Sequence, residues 1–68
     1  MEKVSITTEY IKLDQLLKLS GITLSGSEAK SLILDGHVKV NGNVEIQRGK
    51  KIRSGDIVQY KDITLQVC

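Results

Sequence analysis

The sequence predicts an α+β domain, a helical hairpin followed by a small antiparallel β-sheet, and three observations carry that expectation. Apolar residues recur at helical spacing in the first half, at Leu13, Leu16 and Leu17 and again at Ala29, Leu32 and Ile33. After Gly36 the period drops to two, with Val38 and Val40 facing one way and His37, Lys39 and Asn41 the other. Asn41-Gly42 then supplies a hairpin turn between two apolar runs.

Taken in chain order, Val4 to Thr7 alternates weakly and reads as an edge strand. Thr8 is a plausible cap for a first helix over Tyr10 to Ser20, whose outer face carries Lys12, Asp14, Gln15 and Lys18 and which Gly21 ends. Ser25-Gly26-Ser27-Glu28 reads as a capping box, in which the Ser25 hydroxyl and the Glu28 carboxylate each satisfy an orphan amide at the start of a second helix. Gly36 stops that helix. Two helices joined by so short a link should pack as a hairpin. Val44-Glu45-Ile46 can return antiparallel to Val38-Lys39-Val40, Gln47 to Lys51 reads as a basic loop, and Arg53 to Asp56 as a turn. Ile57 to Tyr60 and Ile63 to Val67 are the last two strands.

At 68 residues the chain holds one small domain, near the lower size at which a single core suffices. No apolar run approaches the ~20 residues that cross a bilayer, and Met1 to Ile6 lacks the basic start and apolar stretch of a secretion signal, so a soluble, cytoplasmic protein is expected, away from membranes. Cys68 is the only cysteine and His37 the only histidine, which leaves no internal disulfide and no multi-cysteine or paired-histidine metal site. Nucleophile, base and orienting groups in motif spacing are missing, as are Gly-rich phosphate cradles. A non-enzyme without cofactor is the expectation.

Charge is the remaining signal. Residues 37 to 53 hold five Lys or Arg against one Glu, a balance of +4, while the remainder holds five Lys against seven acids, a balance of −2. With Val38 and Val40 turned inward, Lys39 lies on the open face beside His37, and the hairpin is expected to bring Arg48, Lys50 and Lys51 back near the same side. Lys12 and Lys30 can join that surface from the helices. Such a patch either blocks a sheet edge or binds an anion. Only Tyr10 and Tyr60 are aromatic, so base stacking should not dominate, and Lys or Arg to phosphate suits a folded RNA read by its backbone shape. The second helix exposes only Lys30 as a cationic donor, too few for a helix that reads DNA bases.

The run Lys12-Leu13-Asp14, Leu16-Leu17, Gly21, Ser25, Ala29, Leu32-Ile33, Gly36-His37-Val38-Lys39-Val40-Asn41-Gly42 and Gly55-Asp56-Ile57 resembles the RNA-binding domain named after ribosomal small-subunit protein four, the S-four domain or alpha-L motif. The resemblance covers about residues 11 to 58, and the chain is most similar to the short stand-alone bacterial members. It implies binding of structured RNA, ribosomal or tRNA-like, by a domain that works alone or on a ribosomal particle; the sequence gives no sign of oligomerisation, and a monomer is assumed. The implied RNA surface comprises Lys12, Ser25, Ser27, Lys30, His37, Lys39, Asn41, Arg48, Lys50 and Lys51, of which Ser25, Ser27 and Asn41 come from the resemblance alone. Two positions depart from the family pattern: Gly26 stands where Arg is common, and Lys12 replaces an Arg, keeping charge but losing the bidentate fork. Gly26 would let a phosphate approach the bare amides of the second helix. The alternative reading is a small module whose basic face docks an acidic protein, for example on an assembling ribosome.

Overall fold

The computed structural model describes all 68 residues. Seven strands and two helices follow one another as β1 (Glu2–Val4), β2 (Ile11–Lys12), α1 (Leu13–Leu19), α2 (Gly26–Leu34), β3 (Val38–Val40), β4 (Asn43–Val44), β5 (Lys51–Ile52), β6 (Ile57–Tyr60) and β7 (Ile63–Val67). Five strands form one sheet in the order β1-β7-β6-β3-β4, and β2 pairs with β5 in a separate two-stranded ribbon.

The core is where the sequence periods intersect. Leu13, Leu16 and Leu17 of α1 and Ala29 and Ile33 of α2 are buried against Val38, Val40, Val58, Leu65 and Val67 from the inner face of the larger sheet, and Ile52 enters from the ribbon. Each of the Leu, Ile and Val side chains, fully withdrawn from water, contributes about 1.5–3 kcal/mol before entropy is counted. Leu32 is only half-buried at the edge of this cluster.

The larger sheet is antiparallel through β7, β6, β3 and β4, as the hairpin signals predict. Asn41 and Gly42 both take positive φ, 52° and 85°, the backbone that a two-residue hairpin turn with right-handed twist requires. One strand breaks the antiparallel pattern: β1 pairs parallel with β7, setting Val4 beside Val67, so the sheet is mixed. The expected edge strand over Val4 to Thr7 therefore lies earlier in the chain, where the pairing brings Val4 onto the core. The return strand after Gly42 is also shorter than expected and ends at Val44, followed by one more bond from the Glu45 amide to the Val38 carbonyl.

The first helix starts at Leu13, not at Tyr10. Ile11 and Lys12 are extended and pair with Ile52 and Lys51, which buries Ile52 and half-buries Ile11. Thr8 does not cap the helix; its hydroxyl donates to the Tyr10 carbonyl at 2.8 Å. The amides of Leu13 and Asp14 donate instead to the carbonyls of Lys50 (2.9 Å) and Arg48 (3.1 Å), so a distant loop satisfies donors that a side-chain cap would otherwise serve. Asp14 accepts from the Gln15 amide at 2.8 Å.

At the second helix the box is half formed: Ser25 Oγ accepts from the Glu28 amide at 3.2 Å, and the reciprocal bond from the Ser25 amide to the Glu28 carboxylate is absent. Gly21 and Gly36 close the two helices with φ of 84° and 78°.

Candidate RNA-binding surface

The β2–β5 ribbon has an inner and an outer face. Ile11 and Ile52 are opposite one another and face inward, so alternation turns Lys12 and Lys51, also directly opposite, to solvent. Continuing the antiparallel register by one residue sets Tyr10 opposite Arg53 on that same outer face. The contacts agree: Lys51 Nζ lies 5.0 Å from the centre of the Tyr10 ring and Arg53 Cζ lies 5.9 Å from it. Four outward side chains, one ring and three cations, thus share a patch two residues wide.

The placement of Lys12 opposite Lys51 is unfavourable in itself. Like charges directly across an antiparallel pair destabilise it by up to about 1 kcal/mol. The cation–π contacts to Tyr10 offset part of this, at roughly 0.5–1 kcal/mol for an exposed pair.

Arg48 and Lys50 belong to the same region because their carbonyls are tied to the start of α1. The loop from Gln47 to Lys51 therefore docks on the first helix, whereas the charge pattern suggested that it would lie beside Lys39. Lys39 stands on the open face of the larger sheet, with Gln59 and Val44 as its cross-strand neighbours. His37 is exposed at the link from α2 to β3, its amide bonded to the Leu32 carbonyl.

Asn41 has a well-defined structural duty. Its side-chain amide donates to Asp56 Oδ1 at 3.1 Å, its carbonyl oxygen accepts from the Ile57 amide at 2.9 Å, and its own amide donates to the Ile57 carbonyl at 2.7 Å. Asp56 in turn accepts from the Arg53 amide at 2.8 Å. That backbone bond, with the Asn41 amide and the positive charges of Lys50 and Arg53, holds the Asp56 carboxyl below the usual range against the opposing effect of its partial burial. The Asn41–Asp56 link fastens the end of β3 to the turn that orients Arg53.

Ser25, Ser27 and Lys30 are exposed at the start of α2. A hollow of about 580 Å³, walled by Ile11, Asp14, Gln15, Lys18, Leu19 and Gly26, lies between them and the ribbon. Nothing lies within 4 Å of where a Cβ on Gly26 would sit, and its φ is not positive, so the fold itself does not demand glycine there.

The structure thus brings Lys12, Arg48, Lys50 and Lys51 into one region, puts Ser25, Ser27 and Lys30 across a hollow from it, and leaves Lys39 on β3 of the larger sheet and His37 at the link before it. The residues predicted from the sequence do not include Arg53 and Tyr10, which the structure sets beside Lys51. The i, i+2 spacing of Lys51 and Arg53 was the available signal for the first, whereas Tyr10 was hidden by its assignment to the helix.

The model of the S4 domain family matches residues 4–68. The chain belongs to the S4-domain family. Its S4 relatives include YbcJ of Escherichia coli (strain K12), 41% identical over 58 residues that span 85% of this chain and 83% of the relative. "Probable ribosome maturation protein RlbA" of Bacillus subtilis (strain 168) is likewise 41% identical over 58 residues, covering 85% and 82% of the two chains. The solution structure of YbcJ, described as revealing an alfaL motif involved in RNA-binding, superposes with a TM-score of 0.75 at 38% identity, covering 98% of this chain and 86% of that one. The S4 fold and the alpha-L motif are therefore those of this chain, as the residue pattern implied.

Proposed function

We propose that this S4-domain protein binds structured RNA, ribosomal or tRNA-like, as a non-catalytic monomer in the cytoplasm, free or on a ribosomal particle. The observation that carries the reading is the exposed Lys12–Lys51 pair, an unfavourable juxtaposition that becomes favourable when a phosphate lies between or beside the two ammonium groups. Arg48, Lys50 and Arg53 extend the same surface, and the fixed loop spares the bound state part of the entropy of ordering it. Ser25, Ser27 and Lys30 form a second contact region across the hollow, and Lys39, His37 and Asn41 a peripheral one. The names of YbcJ's motif and of RlbA support RNA, and a maturing ribosome, as the partner.

The test is a titration of the protein with a folded RNA hairpin and with a DNA duplex of equal length, each across a salt series. Tighter binding to the hairpin, with a log–log salt slope of about −0.7 or steeper for each phosphate engaged, is the expected result. Absence of binding to both nucleic acids by folded protein would move the basic surface to an acidic protein partner.

A further inference from the structure

The ring of Tyr10 borders two features at once. One is the pair of ribbon cations, Lys51 and Arg53, at 5.0 and 5.9 Å from the ring centre. Tyr10 also lines a hollow of about 590 Å³ between the 5–12 segment and α1, within the ~300–1,000 Å³ range of small-ligand sites. The wall of that hollow mixes hydroxyls from Ser5, Thr7 and Thr8, the Gln15 amide and the apolar Ile11 and Leu19. Lys12 stands at its ribbon end, and Glu9 is its one carboxylate.

We propose that this hollow receives a single unpaired nucleotide of the bound RNA, with the base against Tyr10 and the flanking phosphates on Lys12 and Lys51. The inference rests on the RNA-binding reading and adds the class of RNA: a stem carrying an unstacked nucleotide beside the paired region. A paired stem cannot offer such a contact, because its base faces are covered by their neighbours, whereas a bulged base has a free π-face for an aromatic ring. Charge sets the direction of entry. Glu9, exposed on the wall, disfavours phosphate beside it, so the backbone stays with Lys12 and the base takes the place among the hydroxyl and amide groups. Gln15, which the helix exposes without any partner in the fold, gains a role as one of those groups.

The experiment compares one labelled, blunt-ended RNA duplex that is fully paired with the same duplex carrying a one-nucleotide bulge, titrated with wild type, Tyr10→Phe and Tyr10→Ala. All three are first shown to be folded by circular dichroism. The expected result is a wild-type preference for the bulged stem of at least about fivefold, retained in Tyr10→Phe and reduced to unity in Tyr10→Ala. Equal affinity of wild type for the two stems, or a preference that survives in Tyr10→Ala, overturns the proposal and leaves RNA binding standing. Failure of wild type to bind either duplex overturns the RNA-binding reading, and the nucleotide site with it.

Discussion

In the five-stranded sheet, inward positions such as Val38, Val40, Val58, Leu65 and Val67 are buried, and the outward Lys39 stands opposite uncharged partners, Gln59 and Val44. In the β2–β5 ribbon only the inward pair follows that rule; the outward side holds Lys12 opposite Lys51 with Arg53 close by. The larger sheet thus satisfies pattern, turn chemistry and cross-strand pairing together, and the ribbon violates the last of these. The contacts with Tyr10 offset that conflict only in part, and under the proposed reading an RNA phosphate supplies the rest.

Several substitutions separate the two regions. The largest expected effect is on binding: Lys50→Glu/Lys51→Glu should weaken affinity for an RNA hairpin by more than about 100-fold at low salt, with the thermal midpoint nearly unchanged. The carbonyls that fasten the loop to α1 are backbone groups and survive the change. In the larger sheet the order reverses. Asn41→Ala removes both side-chain bonds at the end of β3 and puts alanine at a φ of 52°, so it should cost about 2–3 kcal/mol in urea unfolding. A melt left unchanged together with a large loss of RNA affinity would assign Asn41 to the RNA instead.

The third effect depends on pH. The Asp56 carboxyl is held below its ordinary value chiefly by the Arg53 amide, so its contribution is complete above an unfolded aspartate's pKa of about 3.9 and is lost as pH falls through the folded value. Between pH 5 and pH 2, wild type should lose more stability than Asp56→Asn, as measured by urea unfolding at each pH. The smallest effect is the sharpest comparison. Lys12→Glu converts a like-charge pair into an opposite one at the start of α1 and keeps the contact of Lys51 with Tyr10. It should stabilise the fold by about 0.5 kcal/mol while weakening RNA binding, so that stability and affinity move in opposite directions.

The helices, the turn at Asn41-Gly42 and the strands after Gly36 were legible because each rests on a local signal, either a period or a turn residue. The ribbon was not. Its strands are two residues each and about 40 residues apart in the chain, and Ile11-Lys12 continues smoothly into a helical pattern, so only the contact with Lys51-Ile52 reveals an extended backbone. The same contact explains why the basic loop lies on α1. Its charges could be read from the sequence, but its location depended on carbonyl bonds to Leu13 and Asp14 that no side-chain pattern encodes. The parallel pairing of β1 with β7 was hidden for a similar reason, since the two strands lie at opposite ends of the chain.

The most direct test of the ribbon as the phosphate-binding face is the salt dependence of RNA affinity in wild type and in Lys12→Gln/Lys51→Gln. If the pair engages phosphate, the double variant binds more weakly and its log–log salt slope is shallower by about two, roughly one for each lysine removed. If the slope and the affinity are those of wild type, the ribbon does not hold the RNA backbone and its two opposed lysines are not a phosphate site.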